Sequence, residues 1–188
     1  MLSINLQKGE KVDLTKQTET LAKVFVACGW DVKNNGPTMD ADLMGLLLTS
    51  DGTVRDKKDF IYYGNKGTKG DAIWHSGDNL TGAGDGDDEV INIDLTKVPD
   101  NIVKITFLLN IYMAEAKHQA LADLDNAFIR VVDAGTDKEL CKLDVNGMTG
   151  TTLTFGHLIN EGGSWHFHAD GATSAHFNDV IATFGLAA

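Results

Sequence analysis

The sequence has little cysteine and proline, two of each in 188 residues, and its 16 basic side chains are outnumbered by 27 acidic ones, giving a formal net charge of −11. Each shortage excludes something. Cys28 and Cys141 lie in separate apolar runs, with no second cysteine at metal-ligand spacing. Neither a disulfide between them nor a cysteine zinc site is therefore expected, and both thiols read as small buried hydrophobes. A surface this acidic repels phosphate, and the densest basic stretch, Arg55 to Lys58, is broken by Asp56 and followed by Asp59. Nucleic acid is a poor partner and a cation a better one. No apolar run approaches the roughly 18 residues that a membrane-spanning helix needs. The opening MLSINLQKGEKVDLTK lacks the apolar stretch and small-residue cleavage site of a secretory signal, so the chain reads as cytoplasmic. The hydrolase motif G-x-S-x-G and the metalloprotease motif H-E-x-x-H are missing as well.

What is present is an ordinary globular composition, 43% hydrophobic, with twenty glycines and no linker or low-complexity stretch to divide it. We therefore expect one domain over residues 1–188. Short runs rich in Val, Ile, Phe, Tyr, Leu and Thr alternate with Gly, Asn and Asp clusters, the pattern of an all-β, two-sheet sandwich. Strands are expected at 2–6, 23–30, 43–49, 60–63, 72–75, 89–95, 103–112, 127–133, 140–144, 153–159 and 164–169. Hairpin loops are expected at Ser50-Asp51-Gly52 and Glu161-Gly162-Gly163, where glycine takes positive φ. Only 114–124 and 175–184 read as helix.

The acidity has an address. Between Gly70 and Leu95 stand Asp71, Asp78, Asp85, Asp87, Asp88, Glu89 and Asp94 with no Lys or Arg. At the centre, Gly77 to Glu89 reads GDNLTGAGDGDDE, five carboxylates and four glycines in thirteen residues. Carboxylates so close raise one another's pKa and oppose a compact loop unless a cation neutralises them. Calcium suits this set, because it takes six to eight oxygens in flexible geometry. Zinc, copper or iron would call for Cys or His, which the loop lacks. Asp40 and Asp42 add a second pair that an extended chain points to one side. The register is not that of an EF-hand: with Asp85, Asp87 and Glu89 as first ligands, Val90 stands where Gly is needed and Thr96 where Glu is needed. The alternative to a calcium site is an ordinary solvated turn.

Other candidates are weaker. Gly82-Ala83-Gly84-Asp85-Gly86 leads into carboxylates and a strand, so it cannot cradle phosphate at a helix N-terminus. His166 and His168 share a strand face at a spacing that can bind zinc, but Trp165 and Phe167 alternate with them and suit the core face, which leaves the histidines in solvent. An enzyme that uses the acidic cluster and a metal on a phosphate- or carboxylate-containing substrate is the rival function.

Taken together, these segments resemble the TerD family of bacterial tellurium-resistance and stress proteins. The likeness runs over about the first 170 residues, through Leu6 to Gly9, Val12-Asp13-Leu14-Thr15-Lys16, Cys28-Gly29-Trp30-Asp31, Phe155-Gly156 and Gly163-Ser164-Trp165-His166-Phe167. Its most specific pieces are GDNLTGAGDGDDE with Asp94 to Pro99, and Asn126-Ala127-Phe128-Ile129-Arg130-Val131. The resemblance implies a β-sandwich that binds one or two calcium ions through acidic loops, with no enzymatic activity, acting among other stress-response proteins. The ligands it implies are Asp40, Asp42, Asp78, Asp85, Asp87, Asp88 and Glu89, with Asn65 and Glu115 as further positions. Asp87→Ala is expected to remove most calcium-dependent stabilisation, and His166→Ala to leave it unchanged. The chain departs from the family pattern at Met113, where an Asp is usual, at Leu80, where a basic residue is usual, at Ala83, where Glu is common, and from Asp170 onward.

Overall fold

The computed structural model describes residues 4–5, 11–12, 21–32, 36–84 and 86–187. Among the described residues twelve strands follow one another: β1 (Ile4–Asn5), β2 (Lys11–Val12), β3 (Lys23–Val32), β4 (Ala41–Leu48), β5 (Phe60–Ile61), β6 (Ile73–His75), β7 (Glu89–Asp94), β8 (Lys104–Ile111), β9 (Leu124–Asp133), β10 (Lys138–Asp144), β11 (Thr152–Glu161) and β12 (Ser164–Ser174). They form two six-stranded sheets, ordered β1-β10-β9-β3-β7-β6 and β2-β12-β11-β8-β4-β5. Every pairing is antiparallel except β1 with β10. The expected sandwich is thus present. Of the expected first strand only Ile4–Asn5 is described, and β2 is a strand the pattern did not announce.

Both expected helices are shorter than their sequence pattern. The first is one turn, α1 (Ala114–Lys117), stopped by His118 in the left-handed region at φ 54°, whose N–H caps Ala114 and Glu115; a 3-10 turn at Leu121–Asp123 follows. The second is α2 (Phe177–Ala182). Several strands run past their expected ends because ladder pairing does not require apolar residues. The clearest case is β12, which continues through Asp170 and Gly171 while Thr152 to Thr154 pair with it. The Glu161 to Ser164 hairpin turns on Gly162 and Gly163 at φ 65° and 90°, the backbone that a two-residue loop with primed twist demands. No helix among the described residues is long and apolar enough to cross a membrane.

Two apolar clusters result from strand alternation. Residues such as Val26, Ile91, Ile105, Phe107, Phe155 and Phe167 fill the space between the sheets. On β4, Ala41, Leu43 and Leu47 join that core, while Met44, Leu46 and Leu48 turn the other way and pack with Leu108, Ile181 and Leu186. The C-terminal segment bearing α2 therefore covers the outer face of the second sheet, and all eight residues of β4 are buried. Asp42 shares the parity of Met44, so its carboxylate belongs to this covered outer side.

Trp165 and Phe167 take the core face, 8% and 0% exposed, as their alternation suggests. The histidines that alternate with them are not in open solvent. His166 and His168 are half-buried, with Nε2 atoms 3.8 and 3.3 Å from the Glu161 carboxylate. Beside them His157 bridges Thr106 and Asp170, and burial next to Lys104 pushes it down to about 4. Alternation assigned the face correctly but could not show that neighbouring long side chains cover it.

Candidate metal centre

Asp40 and Asp42, two apart at the start of β4, meet Asp78 from the β6–β7 loop. A carboxylate oxygen from each lies within 4.8 Å of the others. Asp42 is 2% exposed, Asp40 half-buried and Asp78 exposed. Asp40 Oδ1 and Asp42 Oδ2 are buried with no hydrogen-bond partner among the described residues. Burial, then the charges of Glu89, Asp40 and Asp78, push Asp42 up to about 8. Asp40 is also raised, first by burial; Lys117 opposes the shift, and Asp78 and Glu89 add to it. A buried carboxylate oxygen without a partner is costly unless a proton or another positive charge meets it.

Asp87, Asp88 and Glu89 of the acidic loop are different, because their carboxylates have partners within the fold. Glu89 is fully buried; its Oε2 accepts from Leu43 N at 2.7 Å and its Oε1 from Asn79 N at 3.2 Å. His75 Nε2 lies 3.3 Å from Oε2 without hydrogen-bond geometry. Asp88 accepts from Trp30 N at 2.8 Å and Asn79 Nδ2 at 2.6 Å. Asp87 takes a two-pronged bond from Arg130, 2.9 and 2.8 Å, and Arg130 also donates to Glu139. The loop is pressed against β3: Asp88 N donates to Cys28 O at 2.8 Å, and a side chain on Gly29 would collide with Gly86 O and Phe128. Gly82, at φ 64°, would likewise strike Trp30. The Cys28-Gly29-Trp30 motif is thus the bed on which the loop rests.

The expected ligands therefore separate. Asp40, Asp42 and Asp78 come together. Glu89 adjoins them through Leu43 N–H, whereas Asp88 is held on Trp30 and Asp87 is drawn to Arg130. Asp85 lies outside the described residues. Asn65 donates to Phe60 O at 2.6 Å, closing the turn after β5. Glu115 is exposed and bonds His176 Nδ1 at 3.2 Å. Sequence reasoning missed Asn79, Trp30 and Arg130 as the groups that hold the loop. All three fall within segments already singled out, Trp30 in Cys28 to Asp31, Asn79 in Gly77 to Glu89 and Arg130 in Asn126 to Val131, which was the signal available.

Asp42 also lines a groove of about 1230 Å³ on the covered outer side, walled by Tyr62, Tyr63, Tyr112 and Phe177. Both cysteines are free and buried; burial drives Cys28 well up, and Cys141 to about 12.

Residues 2–183 match the profile of the TerD domain. The chain belongs to the TerD family. Among its TerD-family relatives, the stress response protein SCP2 of Bacillus subtilis (strain 168) is 38% identical, the match covering 97% of this chain and all of the relative. General stress protein 16U of the same organism is 41% identical over 91% of each chain. Tellurium resistance protein TerD of Serratia marcescens is 37% identical over 98% of each. A solved structure, that of a homologue of telluride resistance protein (TerD) from Streptomyces coelicolor A3(2), shares the fold. Its TM-score is 0.72 at 20% identity, over 90% of this chain and 100% of that one.

Proposed function

We propose that this TerD-family chain is a cytoplasmic, non-enzymatic stress-response protein of the tellurium-resistance type that binds calcium at Asp40, Asp42 and Asp78, with Glu89 behind them. The observation that supports this is the pair of buried, partnerless oxygens on Asp40 and Asp42 facing a third carboxylate. An all-oxygen, carboxylate-rich donor set suits calcium; magnesium prefers fewer carboxylates and retained water. Bound there, the ion would supply positive charge to three mutually repelling carboxylates and tie the β6–β7 loop to β4. As a sensor the protein would order that loop on binding calcium and so expose or hide a surface for other stress-response proteins; as a scaffold it would hold the ion throughout. Direct reduction of a tellurium oxyanion by this chain has no support, because both thiols are buried and held protonated.

Calorimetric titration of chelator-treated protein with calcium, and separately with magnesium, tests the reading. Heat of binding and a raised melting temperature with calcium are expected. No heat and no melting shift at millimolar calcium would sink it. Hydrogen exchange across residues 77–84 with and without calcium separates sensor from scaffold: a large gain in protection marks the sensor.

A further inference from the structure

The groove beside Asp42 has a chemical character of its own. Three carboxylates, Asp42, Glu115 and Asp179, contribute to its lining, and no Lys or Arg does. The single basic side chain among the lining residues, His176, is bonded to Glu115. Along one side runs a chain of aromatic rings. Phe60 stacks on Tyr62 at 4.7 Å between centroids, Tyr62 meets Tyr63 edge-on at 5.2 Å, and Tyr63 meets Tyr112 edge-on at 6.0 Å. At the outer end Tyr112 and Met113 are 39% and 54% exposed, large apolar side chains left on the surface at the groove's mouth. Tyr112 already carries a cation, since Lys117 Nζ sits 5.1 Å from its ring centre. Deeper in the lining is Asp42, 2% exposed, with its Oδ2 lacking a partner among the described residues.

Tyrosine faces attract cations, a desolvated carboxylate attracts them more strongly, and the volume exceeds what a bare ion requires. We infer that this groove binds an organic cation, an ammonium group joined to an aromatic or aliphatic body. The ammonium lies against Asp42 and the tyrosine faces, and the body lies along Tyr112, Met113 and Phe177. Three lining carboxylates, with no Lys or Arg in the lining itself and with Lys117 already spent on Tyr112, disfavour an anionic ligand of the same shape. The inference stands apart from the calcium reading and shares only Asp42 with it, so the two cations oppose each other.

The probe is benzyltrimethylammonium, titrated into the chelator-treated full chain and followed by calorimetry and tyrosine ring NMR shifts, with benzyl alcohol and benzoate as neutral and anionic counterparts. Saturable one-to-one binding of the cation is expected, with benzyl alcohol about tenfold weaker and benzoate without saturable binding. Asp42→Asn and Tyr112→Ala should each weaken the cation about tenfold. Tyr112 is at the rim, so its variant keeps the fold and serves if Asp42→Asn does not. Equal binding of all three probes, preference for benzoate, or an unchanged Tyr112→Ala variant overturns the inference. Repeating the titration in millimolar calcium separates the two readings. Calcium that binds should weaken the organic cation, and calcium that binds without doing so overturns the shared role of Asp42. Calcium that does not bind, while the organic cation still does, sinks the calcium reading and upholds this one.

Discussion

Two groups of carboxylates, almost equally dense in sequence, behave oppositely in the fold. In the loop, Asp87, Asp88 and Glu89 spend their oxygens on Arg130, Trp30, Asn79 and Leu43 N–H. At the head of β4, Asp40 and Asp42 each keep a buried oxygen without a partner. The loop acids answer to structure, since they pin a glycine-rich segment onto β3. The strand acids have no such partners on those oxygens. Density of charge is thus a poor guide to a site, and unmet hydrogen-bonding capacity is a better one.

The sharpest way to break this contrast is pH. In the folded chain Asp42 is pushed up to about 8 from 3.8. Between those values the native state binds more protons than the unfolded chain, so metal-free protein should lose stability as pH rises from about 4 to about 8, with no further contribution from Asp42 outside that window. Asp42→Asn should remove this dependence, and comparing the denaturant midpoints of the two proteins across the window isolates it. A difference that stays constant from pH 4 to 8 would refute the assignment. Calcium affinity should rise over the same range, because the ion replaces the proton.

Next in size is the metal itself. Calcium at a hundredfold excess over Kd should stabilise the native chain by about 2.7 kcal/mol, and Asp42→Asn should lose most of that gain. Slightly smaller, and opposite in logic, is Asp87→Ala. It leaves the Arg130 guanidinium with Glu139 alone and should cost about 2 kcal/mol with or without calcium. The calcium-dependent part of the melting shift should survive. Structure thus moves the decisive substitution from Asp87 to Asp42, and loss of the calcium shift in Asp87→Ala would move it back. The smallest effect concerns the thiols: iodoacetamide should leave Cys28 and Cys141 unmodified in native protein and label both in denaturant, as mass spectrometry would read directly.

Much of the fold was legible because strand alternation and Gly/Asn/Asp punctuation are local signals. Trp165 and Phe167 declared the core face of β12, and Asp40 and Asp42 declared a shared side of β4. Helix length was less legible. The helical run at 114–124 ends at His118, whose left-handed backbone no periodicity announces. The half-burial of His166 and His168 was also hidden, since it comes from Glu161 and neighbours on the outer face.

The sequence by itself determined the sandwich, the buried thiols and the concentration of acid in one loop, because these follow from composition and from a period of two along each strand. Tertiary structure alone decided which carboxylates were satisfied. Arg130 reaches Asp87 across 43 positions and Leu43 N–H reaches Glu89 across 46, separations over which the sequence carries no pairing signal. The same long-range packing brought α2 over β4, buried Asp42 and opened the groove beside it. A carboxylate in water and a carboxylate without a partner in the interior are the same letter in the sequence. Only the fold, by removing the water, makes them chemically different.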